Sequence, residues 1–137
     1  MPAIALWIYA TWTLGLLLSI AAMRVSLSLA RKHPPNKFSP SGEDVSPFSG
    51  RLCRAHANCY ENLPIVVALV LAAAISDNLG IMEHGAVVLV LGRIAQSVTH
   101  LASTSVRAVT LRFGFLAVQA VVLLYWTAAL GFRLLSA

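Results

Sequence analysis

The feature that most constrains this chain is an uninterrupted apolar run near its start, from Ile4 to Met23. The run has about the 20 residues that an α-helix needs to cross the hydrocarbon core of a bilayer. The whole chain has the same character, because 58% of its residues are hydrophobic and only 11% are charged. A soluble domain has about 25% charged residues. The composition therefore excludes a water-soluble globule and predicts helices in lipid, where a helix satisfies its own backbone hydrogen bonds.

Four apolar stretches follow one another and predict helices at about residues 4–30, 50–76, 81–102 and 108–135. The second apolar run, Leu63 to Ile75, is too short to span a bilayer, so its helix must begin near residue 50. The first is not a secretory signal peptide, because its first basic residue, Arg24, follows the apolar run. We predict one domain over residues 1–137, an all-α integral membrane protein built as a four-transmembrane-helix bundle.

The connections between these helices differ in charge, which predicts their orientation. The first connection, RKHPPNKFSPSGEDVSPFSG, is rich in Pro, Ser and Gly, and the second carries acidic residues only. The basic residues near the first connection are Arg24, Arg31, Lys32, Lys37, Arg51 and Arg54, and those near the third are Arg107 and Arg112. Cytoplasmic loops carry the excess of Lys and Arg. We therefore expect the first and third loops to be cytoplasmic, in a bacterial inner membrane or, alternatively, the endoplasmic reticulum.

Neither the net charge nor the cysteines indicate another class of protein. The charge of +5 comes without a basic tract containing interleaved aromatic residues, so we expect the lipid bilayer as a partner and no nucleic acid. Cys53 and Cys59 project about 240° apart around a helix, too far for a disulfide. No Cys/His spacing suggests zinc, and we predict no metal site.

Two polar stripes interrupt the apolar pattern. In RLCRAHANCYENLP, the residues Arg51, Arg54, Asn58 and Glu61 stand three, four and three residues apart, so they share one helix face. In LGRIAQSVTH, the residues Arg93, Gln96 and His100 stand three and four apart, and Arg107 follows seven residues later. Both stripes are predicted at the same, cytoplasmic end of the bundle.

Charged residues in a membrane helix cost about 2.5–3.5 kcal/mol each on insertion scales, so they normally face a cavity or a partner. Glu61 is one negative charge against several arginines, and this surplus favours an anionic, polar ligand. Other interpretations stay open. Arg51 and Arg54 can extend to lipid headgroups, Asn58 and Glu61 can join helices, and Arg93 can neutralise Glu61.

These residues resemble the membrane-associated proteins in eicosanoid and glutathione metabolism, the MAPEG family. The second-helix motif of that family, Arg-Ala, two residues, Asn, two residues, Glu, corresponds to Arg54, Ala55, Asn58 and Glu61, and Pro64 follows. The spacing of Arg93, Gln96, His100 and Arg107 is closest to the leukotriene C synthase branch. We expect a bacterial-type member.

The resemblance implies a homotrimer of four-helix subunits, with glutathione as cosubstrate between neighbouring subunits near the cytoplasmic end. It implies that Arg54, Asn58 and Glu61 hold the tripeptide, with Glu61 on its ammonium group. Arg93 would contact a carboxylate or the peptide backbone, and Arg107 would be catalytic, because it matches the arginine that stabilises the thiolate. The remaining predicted binding residues are Arg51, Gln96, His100, His56, Arg24 and Arg31.

The chemistry of the residues agrees with this ligand. Glutathione has two carboxylates and one ammonium group, which suits several arginines and a single glutamate. A fixed cation near its thiol favours the reactive thiolate. Lipophilic small molecules can reach the sulfur through the bilayer. The leading hypothesis is therefore a glutathione transferase or peroxidase that acts on hydrophobic electrophiles.

The chain also departs from the family pattern. Ala57 stands where the prostaglandin synthase branch has an arginine, and Arg112 falls near a tyrosine position of the leukotriene branch. At the positions of Gln96 and His100, the leukotriene and prostaglandin branches tend to have aromatic residues or histidine. The alternative hypothesis is a non-catalytic lipid- or glutathione-binding membrane protein. A small transporter is less favoured, because the polar residues gather at one end instead of the midplane.

Overall fold

The computed structural model describes residues 1–136, which form five helices and no strand within that range. The helices are α1 (Pro2–Leu29), α2 (Pro47–Ile75), α3 (Leu79–Glu83), α4 (Ala86–Ala102) and α5 (Val106–Leu135). By length and composition, α1, α2 and α5 can each cross a membrane, and α4 is a shorter apolar helix. The prediction of an all-helical integral membrane protein is confirmed.

The helices α2 and α5 begin two or three residues earlier than the apolar pattern suggests, because capping residues precede it. Ser46 caps α2, where its side-chain oxygen accepts a hydrogen bond from the Ser49 amide at 3.1 Å. Ser105 caps α5 in the same way, accepting from the Ala108 amide at 3.3 Å. Such caps satisfy amide groups that the first helical turn leaves without partners. They set where α2 and α5 enter the bundle.

The predicted third helix is interrupted, so residues 81–102 are not one continuous helix. A break at His84 and Gly85 separates α3 from α4. Gly85 has φ +93°, and the indole nitrogen of Trp126 on α5 donates to the His84 carbonyl at 2.7 Å. The break leaves the His84 carbonyl without a hydrogen bond within its helix, and the buried Trp126 side chain supplies the missing donor. The break shortens α4 and attaches its start to α5.

We expect Gly85→Ala to destabilise the folded protein by about 1–3 kcal/mol. An L-residue rarely adopts φ +93°, and an added Cβ would lie 2.8 Å from a methyl group of Val122. The measurement is the unfolding temperature of the protein in detergent. Gly80→Ala is the control, because nothing lies within 4 Å of its Cβ position. Equal unfolding temperatures for the two variants would contradict this account of the break.

The bundle has a buried core and an apolar outer surface. The core contains Tyr9, Cys59, Val66, Leu89 and Trp126, which are all at most 2% exposed. Many large apolar side chains on the outside of the bundle are exposed, as suits helices that contact lipid. The α1–α2 loop and the α4–α5 turn lie at one end, so the first turns of α2 and α5 meet the last turns of α4 there.

Candidate functional site

A groove of about 470 Å³ lies between α2, α4 and α5 at this end of the bundle. Its α2 and α4 sides are mostly polar, and its α5 side is apolar apart from one arginine. The lining residues are Arg54, Ala57, Asn58 and Glu61 from α2, Gln96 and His100 from α4, and Val109, Arg112, Phe113 and Leu116 from α5. The groove thus joins the two polar stripes that the sequence indicates.

The α2 side of the groove is a row of three side chains, Arg54, Asn58 and Glu61. The Asn58 amide nitrogen donates to the Arg54 carbonyl one turn earlier, at 2.9 Å. Arg54 also contacts Glu43 of the first loop, with Nη2 3.3 Å from Oε1, and both side chains are largely exposed. Such a surface ion pair is weak, so Arg54 remains available to a ligand.

His100 connects the two sides of the groove. Its Nε2 lies 3.0 Å from the side-chain nitrogen of Asn58, and its Nδ1 lies 2.6 Å from Nη1 of Arg112. An arginine guanidinium is only a donor, and so is an amide nitrogen, whereas a neutral imidazole has one acceptor nitrogen. His100 can therefore accept from one of these two donors but not from both. The groove has more donors than acceptors at this point.

Gln96 is held at the base of the groove by two donors. Its Oε1 accepts from Nη1 of Arg93 at 3.1 Å and from Nε2 of Gln119 at 3.1 Å. With the oxygen occupied in this way, the remaining polar group of the amide is its nitrogen. Gln96 lines the groove, so it adds an N–H donor for an anionic ligand.

Arg93 lies behind Gln96, inside the subunit, and is 2% exposed. Its Nη1 donates to the Asn58 carbonyl at 2.9 Å, and its guanidinium carbon lies 5.6 Å from the centre of the Tyr9 ring. Within residues 1–136, its Nε has no hydrogen-bond partner. In this position Arg93 supports the groove through Gln96 and does not line it.

A second cavity of about 330 Å³ adjoins the groove and shares Arg54, His100 and Arg112 with it. Arg51 lies there, and its Nε donates to the Leu101 carbonyl at the end of α4, at 2.9 Å. The bond contributes to holding α2 against α4. The two cavities together present Arg51, Arg54 and Arg112 around one imidazole.

Other predicted binding residues lie away from the groove of this subunit. Arg107 is exposed at the start of α5, and Arg31 is exposed in the first loop. His56 is partly buried beside the Tyr60 ring. Arg24 donates to the Ser39 carbonyl at 2.8 Å and orders the loop. In the same loop, the Ser39 amide donates to Asp44 and lowers the pKa of that carboxyl group, with a smaller contribution from His33.

Two residues of the site were missed by the sequence reasoning, Arg112 and Gln119. Both are polar residues in a mostly apolar helix, and they stand seven residues apart, which places them on one face of α5. A search of α5 for polar residues seven positions apart would have identified this pair from the sequence. Within the described part of the chain, no three His, Cys, Asp or Glu side chains come together as metal ligands.

The fold and the groove define an integral membrane helical bundle with an arginine-rich polar groove at one end. Comparison with known families gives the same class. A family model described as the MAPEG family matches residues 4–132, so this chain belongs to the MAPEG family, and the resemblance drawn from its motifs is confirmed. No curated protein and no solved structure gives a significant match. Membership makes the chain a glutathione-related membrane protein at the level of the family.

Proposed function

We propose that this protein binds glutathione in the groove and uses it as a transferase or peroxidase on hydrophobic electrophiles. The observation that carries the proposal is the row of Arg54, Asn58 and Glu61 along one side of the groove. Arg54 and Glu61 are seven residues apart, about 10 Å along a helix. A tripeptide extends over about 10 Å. The row thus has opposite charges at its two ends, separated by the length of the ligand.

The charges of glutathione can be assigned along this row. Glu61 takes the ammonium group at one end, and the Gln96 amide takes the adjacent carboxylate. Arg54, with Arg51 in the adjoining cavity, takes the carboxylate at the other end. Arginine suits this role because its planar guanidinium binds a carboxylate through two hydrogen bonds. Asn58 then lies beside the middle residue, which carries the thiol.

The reaction follows from the thiolate. A guanidinium near the sulfur stabilises the deprotonated form, which is the nucleophile. In a transfer, the sulfur bonds to an electrophilic carbon, and the displaced group leaves with the bonding electrons. In a peroxide reduction, the sulfur takes one oxygen and releases an alcohol, and a second glutathione forms the disulfide and water. The apolar residues Val109, Phe113 and Leu116 give a lipophilic acceptor access from the bilayer.

Assembly as a homotrimer is part of the proposal. Glu61 is exposed in the single subunit although it lines the groove, so the site has room for a neighbouring subunit. Arg107, Arg24, Arg31 and His56 would act across that boundary. The first and third loops are cytoplasmic in this arrangement, in a bacterial inner membrane or the endoplasmic reticulum.

A non-catalytic protein that binds glutathione or a lipid is the second candidate. The observation that favours it is the position of Arg107, which is exposed and does not line the groove of its own subunit. Ultraviolet absorbance of the bound thiolate distinguishes the two functions. A thiolate band near neutral pH supports catalysis, and binding without a band supports the second candidate.

We expect Glu61→Gln to weaken glutathione binding about tenfold, because one ion pair to the ammonium group is lost. Isothermal titration calorimetry of the purified protein measures the affinity. N-acetylglutathione has no ammonium group, so it should bind the wild type and this variant equally well. Removing the ammonium group from the ligand and removing the carboxylate from the protein break the same ion pair. Both changes together should therefore weaken binding no more than either change alone.

Glu83→Gln is the matched control, because Glu83 is exposed at the other end of the bundle beside the N-terminus. It should bind glutathione like the wild type. If Glu61→Gln changes the affinity for both ligands equally, Glu61 does not hold the ammonium group. If the wild type shows no binding of glutathione, the proposed function is wrong.

A further inference from the structure

We propose that Arg112, held against His100, is the cation that faces the glutathione sulfur in the groove of its own subunit. This inference rests on the proposed function and deepens it. It assigns the thiolate to a residue five positions after Arg107, which is the arginine that the family motif indicates. Three observations support it: the level of Arg112 along the groove, its unmatched charge and its apolar surroundings.

The first observation is position. Asn58 lies four residues after Arg54 and three before Glu61, at the middle of the α2 row. His100 contacts Asn58 through Nε2, and Arg112 contacts the other nitrogen of the same ring. Arg112 therefore lies across the groove from the middle of the row. The middle residue of a bound tripeptide is the cysteine.

The second observation is charge. Among residues 1–136, no carboxylate lies within ion-pair distance of Arg112. Its partner is an imidazole ring that also has the Asn58 amide as a competing donor. The guanidinium thus keeps its full positive charge and several free N–H groups. With Glu61 on the ammonium group, Arg54 on one carboxylate and the Gln96 amide on the other, the thiolate is the remaining anion, and Arg112 is the remaining cation that lines the groove.

The third observation is the surface around Arg112. Val109, Phe113 and Leu116 of the same helix line the groove on either side of it, and Arg112 itself is partly buried. A charge is screened less in such a place than at an open surface. A lipophilic acceptor that follows this apolar strip reaches the sulfur directly. The thiol proton leaves to water at the open side of the groove, and Arg112 takes no part in the proton transfer.

The experiment compares Arg112→Gln with Arg107→Gln in the full-length protein at saturating glutathione. Thiolate absorbance is recorded against pH to give the pKa of the bound thiol. We expect Arg112→Gln to raise that pKa by more than one unit, while the affinity for glutathione, measured at a pH below the pKa of the bound thiol, changes less than threefold. Arg112→Lys keeps the positive charge, so it should keep the pKa of the bound thiol close to its wild-type value. It also tests the inference if the glutamine variant fails to fold.

Arg133→Gln is the control for loss of one charge, because Arg133 is exposed in the last turn of α5. It should leave the thiol pKa unchanged. The inference is overturned if Arg107→Gln removes the thiolate and Arg112→Gln does not. It is also overturned if Arg112→Gln lowers the affinity tenfold with an unchanged thiol pKa, which would make Arg112 a carboxylate anchor. A thiolate that persists in Arg112→Gln overturns this inference alone. Wild-type protein that binds glutathione without a thiolate overturns this inference and favours the non-catalytic candidate, and absence of binding overturns the proposed function as a whole.

Discussion

Arg54→Gln is expected to weaken glutathione binding about 100-fold and to leave the free energy of unfolding almost unchanged. A hydrogen-bonded pair between a guanidinium and a carboxylate contributes about 2–3 kcal/mol when one partner is removed, which corresponds to that factor. The stability is insensitive because the only carboxylate within ion-pair distance of Arg54 among the described residues is Glu43, and the two side chains are 69% and 65% exposed. Exposed pairs of this kind contribute little.

Calorimetry at low and high salt measures the change in affinity, and thermal unfolding in detergent measures the stability. Lys37→Gln is the matched control, because it removes one positive charge from the same end of the protein without touching the groove. Glu43→Gln should strengthen binding a few-fold, since it removes the carboxylate that competes for Arg54. Wild-type affinity in Arg54→Gln would show that the α2 row is not the binding surface.

The α2 side of the groove could be predicted from the sequence because it depends on one helix only. Residues three and four positions apart share a helix face whatever the helix packs against. Arg54, Asn58 and Glu61 therefore had to form a row, and the structure has that row lining the groove. The lipid-spanning character was predictable for a similar reason, because it depends on length and hydropathy alone.

The roles of Arg93, Gln96 and His100 could not be predicted in this way. At 100° per residue, these three side chains spread over about 60° of the helix surface. The rotation of α4 against its neighbours decides which of them reach the groove. Arg93 turns toward Tyr9 of α1, while Gln96 and His100 line the groove. That rotation depends on packing with α1 and α5, which periodicity within one segment does not contain.

The break before α4 and the position of Arg112 escaped prediction for related reasons. Glu83 and His84 interrupt the apolar run just before Gly85, but they do not by themselves predict a helix break. The left-handed backbone at Gly85 is stabilised by Trp126 and Val122 from a distant helix. Arg112 lies five positions after Arg107, which puts the two on different faces of α5. A family motif identifies the position of Arg107, but packing decides which arginine meets the groove within the subunit.

Arg93→Met is expected to raise the free energy of unfolding by about 1–3 kcal/mol and to weaken glutathione binding about tenfold. The stabilisation follows from the surroundings of Arg93. It is a charge 2% exposed, without a carboxylate beside it, and its Nε has no partner among the described residues. Burying such a charge is costly. Methionine has a similar shape and fills an irregular space without a charge.

The acceptors that Arg93 would leave behind keep other partners, so the substitution does not create a new unsatisfied group. The Asn58 carbonyl still accepts from the Asn62 side chain at 3.0 Å, and Gln96 Oε1 still accepts from Gln119 at 3.1 Å. Binding weakens because Gln96 loses one of two donors that orient its amide and the groove loses a positive charge behind it. Thermal unfolding and calorimetry on the same preparation test both parts. A variant that is less stable than the wild type would mean that the charge of Arg93 stabilises the fold. Unchanged affinity would mean that Gln96 does not contact the ligand.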